Sequence, residues 1–224
     1  MRLLAIDGAT ERASVGVWND GAALYREREA QGGHGDWLLA TVRELLDDSG
    51  YPLSSFDAIA FGCGPGSFTG LRVVAAVVQG LAFGADLGVI PVSDLEILAQ
   101  GEAERGDGSI LAALDARMGE IYWAAFSARG GRLVRLVDDT VSVPESLVLP
   151  NSDGQWQGAG NAWKGYGRCF CPRHIVPPAG DVLPSVRCLM RLAIPRYEIG
   201  SMASPEVAIP VYVRNRVVQS RPAT

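Results

Sequence analysis

Apolar positions in the first half of the chain alternate between short runs and stretches with helical spacing. The short runs predict strands, at 3–6, 14–18, 22–28, 58–61 and 89–92. The longer stretches predict helices, at 37–48, 68–83 and 94–100. Asp36 and Ser93 stand where helix N-caps are expected, before the first and third helices. Strands that alternate with helices in this way predict an α/β fold.

The second half of the chain opens as the first half does. A stretch rich in Gly, Glu and Asp at 101–108 is a soft boundary, and strands are predicted after it at 110–114, 120–126 and 132–137. Each half begins with a strand and an acidic turn, at Asp7 and at Asp115. This weak duplication predicts two related lobes, 1–103 and 104–224, with the last segment packing back on the first lobe.

Prolines divide the region after residue 144 into short pieces, which makes its layout hard to predict. A short helix is expected at 189–194. Residues 207–213 alternate well enough for a last strand, although Pro210 interrupts it.

Charge is nearly absent from residues 58–85, where Arg72 is the single charged residue. An ordinary surface helix has a polar face, but the predicted helix at 68–83 carries apolar or small residues almost all round. Both of its faces therefore need cover. Composition alone leaves two explanations equally open, a helix buried at the centre of the chain and a helix that binds another protein.

The turn before this helix, GPGSFTGLR at 64–72, is rich in glycine. Gly64, Gly66 and Gly70 permit backbone angles that other residues avoid, and Ser67 or Thr69 can cap the helix. Such turns can also hold phosphate. The turn has neither the Gly-Lys-Ser/Thr of a P-loop nor a dinucleotide fingerprint, so a structural role is favoured.

Composition narrows the classes of function. Hydrophobic residues make up 48% of the 224 residues, enough for a substantial core, and the net charge is −5. That charge argues against binding of nucleic acid by this chain alone. The start of the sequence lacks a leader pattern and no apolar run reaches about 20 residues, so a cytoplasmic protein with reduced thiols and no membrane span is expected.

Candidate metal ligands are sparse. The chain has two histidines, His34 and His174, far apart in sequence. Cys169, Cys171 and His174 form a Cys-x-Cys-x-x-His pattern, which is weak support for zinc because no second pair accompanies it. Unpaired thiols are the default, and no nucleophile–base arrangement is evident. Arg117 and Glu120 are expected to form a surface pair of little energetic weight.

Four motifs together carry a family resemblance: IDGATE at 6–11, GPGSFTGLR at 64–72, LDARMGEIYWA at 114–124 and VYVRN at 211–215. In this order they resemble the TsaB family of bacterial proteins, also called YeaZ. The resemblance implies an actin-like, sugar-kinase-like fold of two lobes, each with a mixed five-stranded sheet. It also implies a role in forming threonylcarbamoyladenosine at position 37 of tRNAs that read codons starting with A.

The resemblance further implies a scaffold rather than an enzyme. The larger relative TsaD transfers the threonylcarbamoyl group and holds its metal with two histidines four residues apart. Here His34 has Leu38 at that spacing. The chain is expected to dimerise with TsaD, to assemble with TsaE, to pair with itself when isolated, and to meet tRNA only through the complex. No catalytic residue, no metal and no cofactor of its own are expected.

Two sets of site residues follow from the resemblance and from the helix with a single charge. The predicted interface comprises His34, Trp37, Leu38, Thr41, Leu45, Phe68, Leu71, Arg72, Val74, Ala75, Val78 and Leu81. Residues predicted to lie near a nucleotide, ATP or ADP shared with a partner, are Asp7, Thr10, Gly66, Ser67 and Asp115. The alternative is a stand-alone actin-fold ATPase or a peptidase-like enzyme that uses Asp7, Thr10 and Asp115.

Overall fold

A computed structural model describes residues 1–29, 34–152, 154–171, 175–180 and 182–214. Two five-stranded sheets form the frame of the molecule, in the orders β3-β2-β1-β4-β5 and β10-β9-β6-β7-β8. Counted within its own lobe, each sheet has the same strand order. In both sheets the first three strands pair antiparallel and the first, fourth and fifth pair parallel. The predicted duplication is therefore confirmed.

The strands of the first sheet are β1 (Arg2–Asp7), β2 (Arg12–Asn19), β3 (Ala22–Glu29), β4 (Ala58–Gly62) and β5 (Gly88–Val92). The strands of the second sheet are β6 (Gly108–Arg117), β7 (Glu120–Arg129), β8 (Arg132–Ser142), β9 (Trp156–Ala159) and β10 (Ile175–Val176). Central β4 is buried along its whole length, whereas edge strand β3 is mostly exposed. The charged residues of β3 keep that edge soluble and discourage pairing with another chain.

Five helices cover the sheets: α1 (His34–Ser49), α2 (Phe68–Ala85), α3 (Asp94–Ala103), α4 (Trp163–Phe170) and α5 (Val186–Glu198). Helices α1 and α2 share one core with the first sheet. Helix α5 covers the other face of that sheet. Helix α4 packs on the second sheet.

Helix α3 lies between the lobes. Ile97 belongs to the core under the first sheet, whereas Leu95 and Leu98 belong to the core of the second. Ser93 caps the helix by accepting a hydrogen bond from the Glu96 amide at 3.4 Å. The predicted boundary at residue 103 falls at the end of α3, and the packing of α3 and α5 crosses it.

Some predicted elements differ from the structure. The strand predicted at 207–213 is wrong, because a short 3₁₀ helix (Pro205–Val207) leads into irregular chain there. Pro210 has no N–H to donate to a ladder. Helix α1 begins at His34, so Asp36 lies in its first turn instead of capping it. Helix α5 is longer than predicted at both ends, and β9, α4 and β10 were not predicted.

Helix α2, which carries a single charge, has one buried face and one face at the surface. Six of its residues are buried: Gly70, Leu71, Val74, Ala75, Val78 and Ala82. The other positions lie partly or fully at the surface. By length and composition alone, α2 is also the one helix in the described part of the chain that could cross a membrane.

Candidate partner-binding surface

Two buried carboxyl groups meet where the parallel strands of the first sheet end. Asp7 ends β1, and Asp94 begins α3 directly after β5 and the Ser93 cap. Both side chains are 0% exposed. Between them lies Gly62 at the end of β4: a Cβ there would stand 2.5 Å from Asp7 Oδ1 and 2.6 Å from Asp94 Oδ1. The missing side chain of Gly62 makes room for the pair.

Backbone amides bind one oxygen of each carboxyl group. The Gly64 amide donates to Asp94 Oδ2 at 2.6 Å, and the Ala9 amide donates to Asp7 Oδ1 at 3.1 Å. Asp7 Oδ2 and Asp94 Oδ1 are buried without an amide, hydroxyl or cation of the described residues as partner. The two side chains hydrogen-bond each other, which requires a proton because two carboxylates have none to donate.

Burial is the largest cause of the raised pKa of Asp94, which lies well above its ordinary value, and the negative charge of Asp7 adds to it. Burial also raises the pKa of Asp7, although hydrogen bonds from Asp94 and from the backbone act in the opposite direction. Two carboxyl groups this close cannot both ionise cheaply. A single proton held between them would leave the pair with one negative charge.

The GPGSFTGLR turn packs directly on the turn between β1 and β2. The Ser67 amide donates to the Ala9 carbonyl at 2.6 Å. A Cβ on Gly66 would stand 2.3 Å from that carbonyl oxygen, and a Cβ on Gly70 would stand 2.1 Å from the carbonyl oxygen of Gly8. Glycine is needed at these two positions because backbone lies against backbone. The structure thus supports the structural role of the turn.

The residues predicted to lie near a nucleotide divide into two groups. Asp7 and Thr10 are buried beneath the glycine-rich turn, and Ser67 caps α2 by accepting from the Gly70 amide at 3.3 Å. Asp115 is in the other lobe at the end of β6, where it accepts from Tyr166 Oη at 3.2 Å. In this conformation Asp7 is closed to a ligand.

The predicted interface residues also divide. Seven are buried within the described chain: Leu38, Thr41, Leu45, Leu71, Val74, Ala75 and Val78. They point at the sheet, because their spacing follows the apolar stripe of each helix. Phe68 and Arg72 are exposed, and Trp37 and Leu81 are partly exposed. His34 begins α1, and its side chain lies outside the described residues.

The outward side of α1 and α2, which we call the α1–α2 outer face, is formed by other residues. Its apolar members are Leu39, Phe68, Val73, Val77, Leu81 and Phe83, and its small members are Ala40, Ala76, Gly80 and Gly84. Leu39, Phe68 and Phe83 are each about half exposed, at 50%, 49% and 54%. A Cβ added at Gly80 or Gly84 would meet nothing within 4 Å. Another backbone could therefore approach α2 closely.

Metal-binding groups are not found among the described residues: no three His, Cys, Asp or Glu side chains lie together. Cys169 hydrogen-bonds Glu145 at 3.2 Å, and Cys171 hydrogen-bonds the Gly167 carbonyl at 3.4 Å. His174 lies outside the described residues. Burial raises the pKa of Cys63 to about 12 and that of Cys188 to about 11, so neither thiol is an activated nucleophile.

Comparison with known proteins gives a consistent result. The family model described as "TsaD: tRNA N6-adenosine threonylcarbamoyltransferase" matches residues 28–181. The tRNA threonylcarbamoyladenosine biosynthesis protein TsaB of Escherichia coli K12 is 36% identical, over 97% of this chain and 96% of the relative. TsaB of Haemophilus influenzae is 34% identical, over 97% of this chain and 95% of the relative. The solved structure of YeaZ from Pseudomonas aeruginosa is 41% identical, with a TM-score of 0.88, and covers 94% of this chain and 99% of that one.

The duplicated sheets define the class, a two-lobed α/β protein of the actin-like, sugar-kinase-like kind. Within this class the chain belongs to the TsaB, or YeaZ, family.

The pairing of Asp94 with Asp7 and the residues of the outer face were not predicted from the sequence. Asp94 was assigned only as the start of a helix, although it directly follows a predicted strand and cap, as Asp7 ends another. Carboxyl ends of parallel strands meet at one edge of a sheet. Their positions directly after strands therefore could have predicted that Asp7 and Asp94 lie together. The outer face could have been found as the side of α2 opposite the stripe of Leu71, Val74, Val78 and Ala82, which has helical spacing.

The glycines of α2 allow a matched test of backbone packing. We expect Gly70→Ala to lower the free energy of unfolding by about 2 kcal/mol, because its Cβ would overlap the Gly8 carbonyl. Gly80→Ala in the same helix should raise it by up to about 1 kcal/mol, because alanine is the better helix former and the site is open. Urea unfolding of both variants measures the difference, and equal shifts would contradict the packing described.

The shared proton predicts a pH dependence of stability. A carboxyl group whose pKa is raised in the folded state adds to the free energy of unfolding below the ordinary aspartate pKa. This contribution is lost as the pH rises towards the raised pKa. The slope can reach about 1.4 kcal/mol per pH unit. Asp94→Asn replaces the proton with an amide donor, so its free energy of unfolding should depend less on pH above the ordinary aspartate range. Denaturation of both proteins from acidic to mildly alkaline pH measures this.

The exposed Asp36→Asn variant is the control for that experiment, and its pH profile should match the wild type. Parallel profiles for Asp94→Asn and the wild type would show that no proton is shared.

Proposed function

We propose that this chain is a non-catalytic scaffold subunit for the threonylcarbamoylation of tRNA, and that it dimerises with TsaD through the α1–α2 outer face. The observation that carries the proposal is the exposed half of α2. It presents apolar and small residues with Arg72 as its single charge. Apolar patches of this kind on a folded chain mark sites of protein association.

The shape of the α1–α2 outer face suits a helical partner. Gly80 and Gly84 lie one turn apart and leave open space above α2, which lets a second helix approach closely. An open groove of about 530 Å³ beside them is lined by apolar side chains such as Leu39, Leu46 and Leu81, and also by the charged residues Arg43 and Asp47. Two helices from each partner would then form a four-helix arrangement across the interface.

TsaD is the proposed partner because the chain resembles it. The TsaD family model matches residues 28–181, a range that includes both helices of the outer face. A partner of related fold can offer a related helix pair, so the two could meet in a nearly symmetric way. By the same reasoning, the isolated chain should form a homodimer through this face.

The remaining parts of the proposal concern TsaE, nucleotide and tRNA. The name of the relatives supports a place in the pathway, and assembly with TsaE is part of this proposal. A nucleotide, if bound, would lie at a surface shared with partners, because Asp7 is closed within this chain. The net charge of −5 favours a partner as the subunit that contacts tRNA.

A single charge on the outer face should separate binding from folding. We expect Gly80→Glu to keep the fold, since its Cβ meets nothing, and to weaken association with TsaD at least tenfold, because a carboxylate would be buried unpaired. The same variant should be monomeric at micromolar concentration. Calorimetric titration with TsaD and sedimentation of the isolated chain measure the two effects.

Gly165→Glu is the matched control. Gly165 is an exposed glycine of α4 in the other lobe, with equal space for a Cβ. This variant changes the net charge equally and should bind TsaD as the wild type does. If Gly80→Glu bound TsaD with wild-type affinity, the proposed interface would be wrong.

The stand-alone ATPase is tested by titrating the isolated chain with ATP and Mg²⁺. We expect no binding at micromolar nucleotide, because Asp7 is sealed beneath the Gly66–Ala9 contact. Micromolar affinity that is lost in Asp7→Asn would support the enzymatic alternative.

A further inference from the structure

The C-terminal segment 203–214 runs along the first lobe with several attachments. Ala203 and Val89 at the sheet edge exchange two backbone hydrogen bonds, each of 2.9 Å. Gln79 Nε2 of α2 donates to the Pro205 carbonyl at 3.4 Å. Ala208 is 1% exposed and belongs to the core beneath α1 and α2. The segment is therefore part of the first lobe, although the second lobe precedes it in the chain.

Further along, the segment crosses the glycine-rich turn. The Val211 amide donates to the Cys63 carbonyl at 2.7 Å. The Val211 carbonyl oxygen would stand 2.6 Å from a Cβ on Gly64, where φ is 116°. Tyr212 accepts a hydrogen bond from Arg72 Nε at 3.1 Å, and its ring centre lies 5.5 Å from that of Phe68. These contacts fix the segment at the carboxyl end of β4.

Arg214 then reaches the second lobe. Its Nη2 donates to the Ala116 carbonyl at 3.1 Å and to the Arg117 carbonyl at 3.5 Å, and it pairs with Glu120. The Arg214 side chain is 14% exposed. These partners flank the turn between β6 and β7, at the end of β6 and the start of β7. A planar guanidinium can bind several oxygens at once, which a lysine cannot do.

The turn that Arg214 binds is unusual. Arg117 and Met118 have φ values of 62° and 57°, in the left-handed region that residues other than glycine avoid. Each such residue costs free energy that other contacts must offset. The Arg214 hydrogen bonds are contacts of this kind.

We propose that 203–214 is an interlobe strap, which ties the carboxyl end of β4 in the first lobe to that of β6 in the second, with Arg214 as its anchor. The start of α3 lies beside the same end of β4, because the Asp94 amide donates to the Gly64 carbonyl at 2.9 Å. It also contacts the second lobe, since Ser93 Oγ donates to Asp139 Oδ2 at 2.7 Å. A longer contact joins Asn161 Nδ2 and Glu11 Oε2 at 3.5 Å. The strap is therefore a further connection between the lobes at this end of the first sheet, and it forms without a partner.

Hydrogen exchange of the full chain, followed by mass spectrometry, tests the strap. We expect Arg214→Ala to raise amide exchange about tenfold at 63–67 and at 116–121, because loss of the anchor frees both ends. Exchange in β1 and β4 should not change. Arg214→Lys should give an intermediate increase at both segments. The control is Arg26→Ala, which removes the exposed Arg26–Asp48 pair and should leave both segments at wild-type rates.

Two results would overturn the proposal. One is unchanged exchange at both segments in Arg214→Ala. The other is an increase at 116–121 alone, which would make Arg214 a local support of one turn. If Arg214→Ala raised exchange throughout the chain, Glu120→Gln would decide, since it weakens the anchor while sparing the carbonyl contacts. It should raise exchange at both segments by a smaller factor, and no increase there would contradict the strap.

Discussion

The contact of two backbone turns, Gly66–Gly70 against Gly8–Ala9, is the constraint on which the first lobe depends. It sets where α2 begins and how closely the helix lies on the sheet, since no side chain intervenes at Gly66 or Gly70. The same contact covers Asp7, and Asp94 closes the pocket from the other side by binding the Gly64 amide. A turn whose composition suggests phosphate binding is here packed against protein backbone, and a proton held between the two carboxyl groups would lower the charge buried beneath it.

The same packing gives α2 one buried face and one exposed face. The residues that face the sheet are branched or small and fully buried, as Val74 and Val78 are. The outward residues are equally apolar, but Leu39, Phe68 and Phe83 remain about half exposed. An apolar helix in a folded protein can thus combine a buried face and an exposed face of similar composition, which composition alone does not distinguish.

The sequence predicted most of the frame. Hydrophobic patterning located eight of the ten strands and four of the five helices, because strands buried on both faces and amphipathic helices leave strong local signals. The weak duplication became an identical strand order in both lobes. Patterning failed where tertiary contacts determine the structure. Val211 pairs with Cys63 instead of joining a sheet, and the Asp7–Asp94 pair joins residues distant in sequence. Strand β10 has only two residues, too few for a pattern. Which of the predicted interface residues are buried depends on the rotation of each helix about its own axis, and the predictions from sequence did not specify that rotation.

Helix α5 packs on the first sheet and α3 packs partly on the second, which affects how the chain folds during synthesis. One face of the first sheet is covered by α5, which is synthesised after the entire second lobe. Until then the core of Leu3, Ala58 and Ala60 contains Ile97 of α3 but lacks the side chains of α5. When only the first lobe has left the ribosome, this face of its sheet therefore lacks the cover of α5. A chain cut between the lobes would leave the same face without α5.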